Sequence, residues 1–240
     1  MHIFAHRGAS GHAPENTLAA IQLALDIDIY GVEIDIFQVE DEFVLMHDRW
    51  LTRTTGEKIR IDQVSLQQLS ELNAGSYLDA PQKVPTLADV LRLNWQNKVL
   101  NIEIKAIKSI QQLYAYIERH RPATLSPNQI VLSSFNHLLL LDAQALELPY
   151  PRGWLSASMP VGKAHEAEVL DCQILGIDAD VLNVELINDA HQRGIKVAVY
   201  TVDETDDIDW LKTLGVDAVF TNFPARVLQH LQQRDSSSPR

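Results

Sequence analysis

Short apolar, β-branched runs recur along this chain with helix-like segments between them: "HIFAHR", "VEIDIFQV", "FVLMHD", "VLNIEIK", "IVLSSF", "RGWLSA", "QILGID", "KVAVYTV" and "AVFTNF". Strands separated by helices join in parallel, because a parallel pair needs a crossover longer than a tight turn. Only Glu40-Asp41-Glu42 separates "VEIDIFQV" from "FVLMHD", so these two read as one strand continued through a hairpin. Eight strand-helix units remain, which predicts an α/β fold of the closed (β/α)8 TIM-barrel type. The doubly wound open sheet is the alternative, but it is marked by a Gly-rich turn after its first strand, and no G-x-G-x-x-G occurs here.

The helices are legible too. "PENTLAAIQLALDI" has apolar residues at helical spacing after Pro14, "TLADVLRL" starts at Thr86 as a cap, and "VELINDAHQRG" ends at Gly194. One stretch breaks the rhythm. Residues 49–85 are too long for a βα loop of about 2–6 residues, so a small insertion after the second strand is expected, as a lid, a substrate wall or a stabilising excursion. We expect one barrel domain over residues 1–233, and a frayed, disordered tail over 234–240, where apolar periodicity is lost.

A chain of 240 residues with 46% hydrophobic and 22% charged residues can bury a substantial core. Its net charge of -12 and lack of a Lys/Arg-rich run argue against nucleic acid as a partner. Cys172 is the only cysteine, which excludes an intrachain disulfide and suits a reducing compartment. Neither a signal-like leader nor an apolar run near the ~18 residues of a membrane span is present, so a cytoplasmic protein without stable membrane insertion is expected.

Barrel enzymes build their sites at the carboxyl ends of the strands. The first strand here ends in His6-Arg7. The second carries Glu33 and Asp35 and reaches His47-Asp48 on its extension, and the third carries Glu103 and Lys105. Glu33 and Asp35 alternate with Val32, Ile34 and Ile36, so both carboxylates share a face, as do Asn101, Glu103 and Lys105 on the next strand. Clustered carboxylates need a counter-ion. A divalent cation with oxygen ligands, Mg²⁺ or Ca²⁺, is one solution, and ion pairing with Arg7 and Lys105 or an outward, solvated face are the others. Zinc fits less well, since it prefers nitrogen and sulfur ligands. Two strand-end histidines, His6 and His47, can divide proton transfer between them. With Arg7 as a planar fork and Lys105 as a point charge, the set suits a phosphate ester. His12 lies in the glycine loop as a substrate contact or a solvated side chain.

The segments "HRGASGHAPENT", "VEIDIFQVEDEFVLMHD", "LTRTTG", "VPTLADVL", "NIEIK", "SSFNH", "YTVD" and "GVDAVFTNFP", in that order from His6 to about Pro224, resemble a bacterial glycerophosphodiester phosphodiesterase. The resemblance implies a (β/α)8 barrel with a small insertion that hydrolyses glycerophosphodiesters to glycerol 3-phosphate and an alcohol with Mg²⁺ or Ca²⁺. It implies His6 and His47 as the acid-base pair; in the mechanism we expect, His47 is the acid. Glu33, Asp35 and Glu103 then match the metal ligands, and Arg7 and Lys105 the phosphate contacts. Glu15, in "ENT", would support the His-Arg loop, and Asp48 would orient His47 or help the turn.

Two departures bear on substrate preference. Tyr200 stands where the family commonly has a tryptophan facing the glycerol or alcohol group, and Asn222 replaces the usual aspartate near the last strand. A catalytically idle barrel that binds glycerol phosphates, and a phospholipase D-like phosphodiesterase of the same superfamily, are the alternatives. The latter calls for apolar or basic docking segments that this acidic chain does not show. The expected partner is a soluble small-molecule diester, with a homodimer left open.

Overall fold

The computed structural model describes residues 1–237. From the N-terminus the chain runs through β1 (His2–Ala5), α1 (Leu18–Leu25), β2 (Gly31–Val39) and β3 (Glu42–Leu45). An excursion follows, with α2 (Thr52–Thr55), α3 (Leu66–Glu71) and the two short strands β4 (Ser76–Tyr77) and β5 (Ala80–Pro81). Helix α4 (Leu87–Leu91) leads to β6 (Val99–Ala106), α5 (Ile110–His120), β7 (Ile130–Ser134) and α6 (His137–Ala145). The alternation continues with β8 (Arg152–Ser156), α7 (His165–Val169), β9 (Ile174–Asp178), α8 (Val184–Gln192), β10 (Lys196–Tyr200), α9 (Thr205–Thr213), β11 (Ala218–Thr221) and α10 (Pro224–Ser237).

Hydrogen-bonded neighbours run β1-β11-β10-β9-β8-β7-β6-β2, all parallel, and β1 also pairs with β2 through Phe4↔Gly31 and Ala5↔Val32. That last pairing closes the expected eight-stranded barrel. Strand β3 folds back antiparallel on β2, with Val39 opposite Glu42, which is the hairpin read from Glu40-Asp41-Glu42.

Alternation along each strand divides the side chains between two environments. Outward residues such as Ile34, Ile102, Leu132, Ile177 and Val219 pack with Leu113, Leu186, Leu211 and Val227 of the surrounding helices in the main core. Inward residues Phe4, Val131, Ala198, Ala218 and Phe220 form a separate plug, with Phe4 and Phe220 stacked at 5.0 Å. Above the plug, toward the strands' carboxyl ends, the inward positions turn polar. Glu33 lies opposite Asn101 and Asp35 opposite Glu103 in the β2–β6 register, and that register slips at Lys105.

Sequence signals set the helix ends. Thr86 caps α4 in a reciprocal box with Asp89, and α8 stops at Gly194, whose φ of 75° closes the helix at no steric cost. Helix α1 starts later than its periodicity predicts, at Leu18 with Thr17 as cap. Glu15 and Asn16 are pulled out of it: Asn16 has φ 56°, and its side-chain amide donates to Asp35 Oδ2 (2.9 Å) and accepts from the Asp35 amide (3.1 Å).

The insertion has its own apolar cluster, in which Leu51, Ile61, Val64 and Leu69 pack on Phe37, Val39, Val44 and Met46 of the β2–β3 hairpin. The tail expected from residue 234 is instead helical as far as Ser237. Arg234 pairs with Asp209 of α9, so a polar contact carries α10 past the end of its apolar pattern. Residues 238–240 of that tail lie outside the described residues. No described helix is long and apolar enough to cross a membrane.

Candidate active site

His12 apart, the residues assigned to chemistry from sequence gather at one mouth of the barrel. A cleft there is lined by His6, Arg7, Glu33, His47, Glu103 and Lys105, with Asn101, Phe135, Leu155, Tyr200, Thr201 and Phe220 completing it. None of these residues comes from 49–85.

Glu33, Asp35 and Glu103 each offer an oxygen, all within 4.8 Å of one another. Burial first, and then the charges of Asp35 and Glu103, hold Glu33 well above the usual carboxylate range. Glu103 is raised by burial and by Asp35. Two cations face this group. Lys105 Nζ lies 2.5 Å from Glu103 Oε1 and 3.6 Å from Asp35 Oδ1, and Arg7 Nε lies 3.2 Å from Asp35 Oδ2. Burial opposes the charge on Lys105, yet Asp35 and Glu103 still hold its ammonium above the ordinary lysine range.

Three carboxylates against two cations leave one charge uncompensated. Glu33 Oε1 and Asp35 Oδ1 are buried with no hydrogen-bond partner. Hard oxygen donors, unsatisfied atoms and surplus negative charge fit a divalent cation of the Mg²⁺ or Ca²⁺ type.

The first histidine is held from behind. Asn222 Nδ2 donates to Asp203 Oδ2 (2.7 Å), and the Asn222 backbone N–H donates to Asp203 Oδ1 (2.8 Å). A carboxylate only accepts, so the Asn222 amide must turn its Oδ1 toward His6, where it lies 2.9 Å from Nδ1. His6 therefore carries its proton on Nδ1 and leaves Nε2 as an acceptor. Burial and then the Arg7 charge push the ring down to about 4. The charge that Asn222 removes relative to the family pattern thus returns one contact further out, on Asp203.

His47 sits just past β3. Pairing of the hairpin continues to Met46, whose N–H donates to the Asp35 carbonyl (3.1 Å), and this brings His47 to the mouth. Its Nδ1 lies 2.7 Å from Asp48 Oδ1, and Nε2 makes no hydrogen bond among the described residues. Arg7 is fixed by its own N–H, which donates to Glu33 Oε2 (2.9 Å), and by Nη1, which donates to Glu15 Oε1 (3.0 Å). The Tyr200 hydroxyl donates to the Ser156 carbonyl (2.7 Å), and its ring meets Phe135 edge to face at 5.8 Å, giving the cleft an aromatic wall. His12 is exposed against Phe223, outside the cleft.

Sequence reasoning missed Arg53, Asp203 and Phe135. Each sat inside a quoted segment, "LTRTTG", "YTVD" or "SSFNH", but only the fold gives it a partner.

A barrel whose mouth gathers a carboxylate triad, two histidines and two cations around an aromatic-walled cleft is built as an enzyme. The comparisons place it further. The family model described as "Glycerophosphoryl diester phosphodiesterase family" matches residues 6–226, and the chain belongs to that family. It is 29% identical over 245 residues to a glycerophosphodiester phosphodiesterase of Caldanaerobacter subterraneus subsp. tengcongensis, covering 94% of this chain and 96% of the relative. A glycerophosphodiester phosphodiesterase of Bacillus subtilis is 28% identical over 242 residues, covering 92% and 83%. Among solved structures, a phosphodiesterase of Oleispira antarctica in complex with the product sn-glycerol-3-phosphate superposes with a TM-score of 0.88 at 31% identity, covering 97% of each chain.

Proposed function

We propose that this enzyme hydrolyses glycerophosphodiesters to glycerol 3-phosphate and an alcohol with a bound divalent cation, His6 acting as general base and His47 as general acid. The observation that carries the division of labour is the Asp203–Asn222–His6 chain of hydrogen bonds. It supports a ring that is neutral at neutral pH, with Nε2 unprotonated, which is what a base must offer. His47, whose Nδ1 is taken up by Asp48, has Nε2 left to donate to the departing alkoxide.

Arg7 and Lys105 would bind the phosphate oxygens. Nη2 of Arg7 has no partner among the described residues, and so keeps a donor for substrate. Glu33, Asp35 and Glu103 would hold the cation, which when bound supplies Lewis-acid stabilisation of the charge developing on phosphate. Asn16 keeps Asp35 in place from behind. His6 Nε2 takes the proton of the attacking hydroxyl, whether of water or of the substrate's own glycerol. Tyr200 and Phe135 flank the organic part of the substrate. We place the enzyme in the cytoplasm, a reading supported by a single cysteine that is buried.

The test is release of glycerol 3-phosphate from glycerophosphocholine and glycerophosphoethanolamine after chelation, and again after adding Mg²⁺ or Ca²⁺. We expect product only with metal. No product from a folded sample with either ion refutes the reaction class, and undiminished product after chelation refutes the cofactor.

A further inference from the structure

The insertion stays outside the cleft, yet it reaches the machinery through one side chain. Arg53 lies on α2, a single turn that starts beside the fully buried Leu51 and ends at Gly56. Its guanidinium places three N–H groups on two carboxylates. Nε donates to Asp48 Oδ2 (2.5 Å), Nη1 to Glu15 Oε2 (2.5 Å) and Nη2 to Glu15 Oε1 (2.7 Å).

Both acceptors are already committed on their other side. Glu15 Oε1 takes Arg7 Nη1 (3.0 Å), and Asp48 Oδ1 faces His47 Nδ1 (2.7 Å). The result is one unbroken line of charge-assisted contacts, Arg7–Glu15–Arg53–Asp48–His47, bridging two side chains that come from different strands.

Resting on the function proposed above, we infer that Arg53 is a positioning residue, through which the insertion sets the distance and orientation of the phosphate-binding Arg7 relative to the proton-donating His47. An exposed ion pair kept for stability alone would contribute little and would not need this geometry. Burial works against the charge of Glu15 and Asp48, yet the hydrogen bonds from Arg53 keep both below the usual carboxylate range, so both remain acceptors over the working pH range. Only arginine supplies three donors in a fixed planar fork. A lysine at this position offers one charge that can satisfy one carboxylate at a time.

The insertion thus acts as a brace. Its apolar cluster anchors α2 to the β2–β3 hairpin that also carries His47, so the brace and the histidine are referenced to the same element.

The experiment is steady-state hydrolysis of glycerophosphocholine with saturating Mg²⁺ by wild type, Arg53→Ala and Arg53→Lys, with circular dichroism to establish that each is folded. We expect kcat/KM to fall on the order of 10–100-fold in both variants, the range typical of residues that orient primary ligands. KM should rise through Arg7 and kcat should fall through His47, and millimolar guanidinium should restore part of the loss in Arg53→Ala. A merely structural arginine predicts neither the rescue nor the failure of lysine. Constants within about twofold of wild type in either folded variant, or a loss that guanidinium leaves untouched in a folded Arg53→Ala protein, overturn the inference. Should Arg53→Ala fail to fold, Arg53→Lys decides alone, by loss or retention of rate. An inactive wild type refutes the proposed function instead, so the two failures are told apart.

Discussion

Replacing His6 with glutamine tests how strongly the fold prefers an uncharged ring there. Burial and the neighbouring Arg7 push His6 from its ordinary 6.5 down to about 4. Above pH 6.5 neither the native nor the unfolded chain binds this proton, so the group does not affect stability. As the pH falls from 6.5 toward 4, the unfolded chain takes up a proton that the native one resists, and stability is lost across that window. The full separation corresponds to about 3 kcal/mol, and partial exposure of the ring reduces this to about 2–3 kcal/mol. Glu33 and Glu103, raised in the native state, act with the opposite sign, since their protonation as pH falls favours the fold. They are common to both proteins, so comparison of wild type with His6→Gln isolates the histidine. Glutamine cannot titrate. Urea unfolding in the presence of chelator, followed by circular dichroism at about pH 7 and about pH 4.5, should show wild type losing about 2 kcal/mol more than the variant. Losses equal to within about 0.5 kcal/mol would refute the reasoning, because a ring that protonates as easily in the fold as out of it has no linkage to lose.

Two further outcomes follow from the same geometry. Glu103→Gln should weaken the metal requirement, read as a rise of about 10–100-fold in the Mg²⁺ concentration for half-maximal rate, and an unchanged requirement would remove Glu103 from the ligand set. Gly8→Ala should destabilise the fold by at least about 1–3 kcal/mol in urea titrations. Gly8 has φ 79°, and an added Cβ would fall 2.6 Å from the carbonyl carbon of Ala20, so a variant as stable as wild type would contradict the packing of the His-Arg loop on α1.

The barrel was legible because its signals are local. Period-two alternation around Glu33 and Asp35 put both carboxylates on one face, the step Glu40-Asp41-Glu42 marked the hairpin, and Thr86 and Gly194 bounded their helices. The clustering of the three carboxylates and the placing of both histidines were legible for the same reason, as polar groups at strand ends with nowhere apolar to go. What escaped notice depends on partners far along the chain. Arg53 gains its meaning from Glu15, 38 positions away, and Asn222 from His6, 216 positions away. The late start of α1 was also hidden, since nothing in the periodicity of "PENTLAA" reveals that Asn16 leaves the helix to hold Asp35. Polar pairing likewise carries α10 beyond Leu231, where hydrophobic spacing had run out.

The joint between the first strand and the last has a bearing on how this molecule comes into being. His6 leaves the ribosome 216 residues before Asn222, whose amide oxygen faces its ring. At about 5–20 residues per second, roughly 10–40 s of translation separate the two. Throughout that interval the growing chain carries Glu33 and Glu103 on strands that have not been joined into a ring, and His6 lacks the amide that faces its Nδ1. The assembled mouth therefore arrives only when β11 closes the ring, and a chain stalled before Asn222 holds the carboxylates without the contact that orients His6.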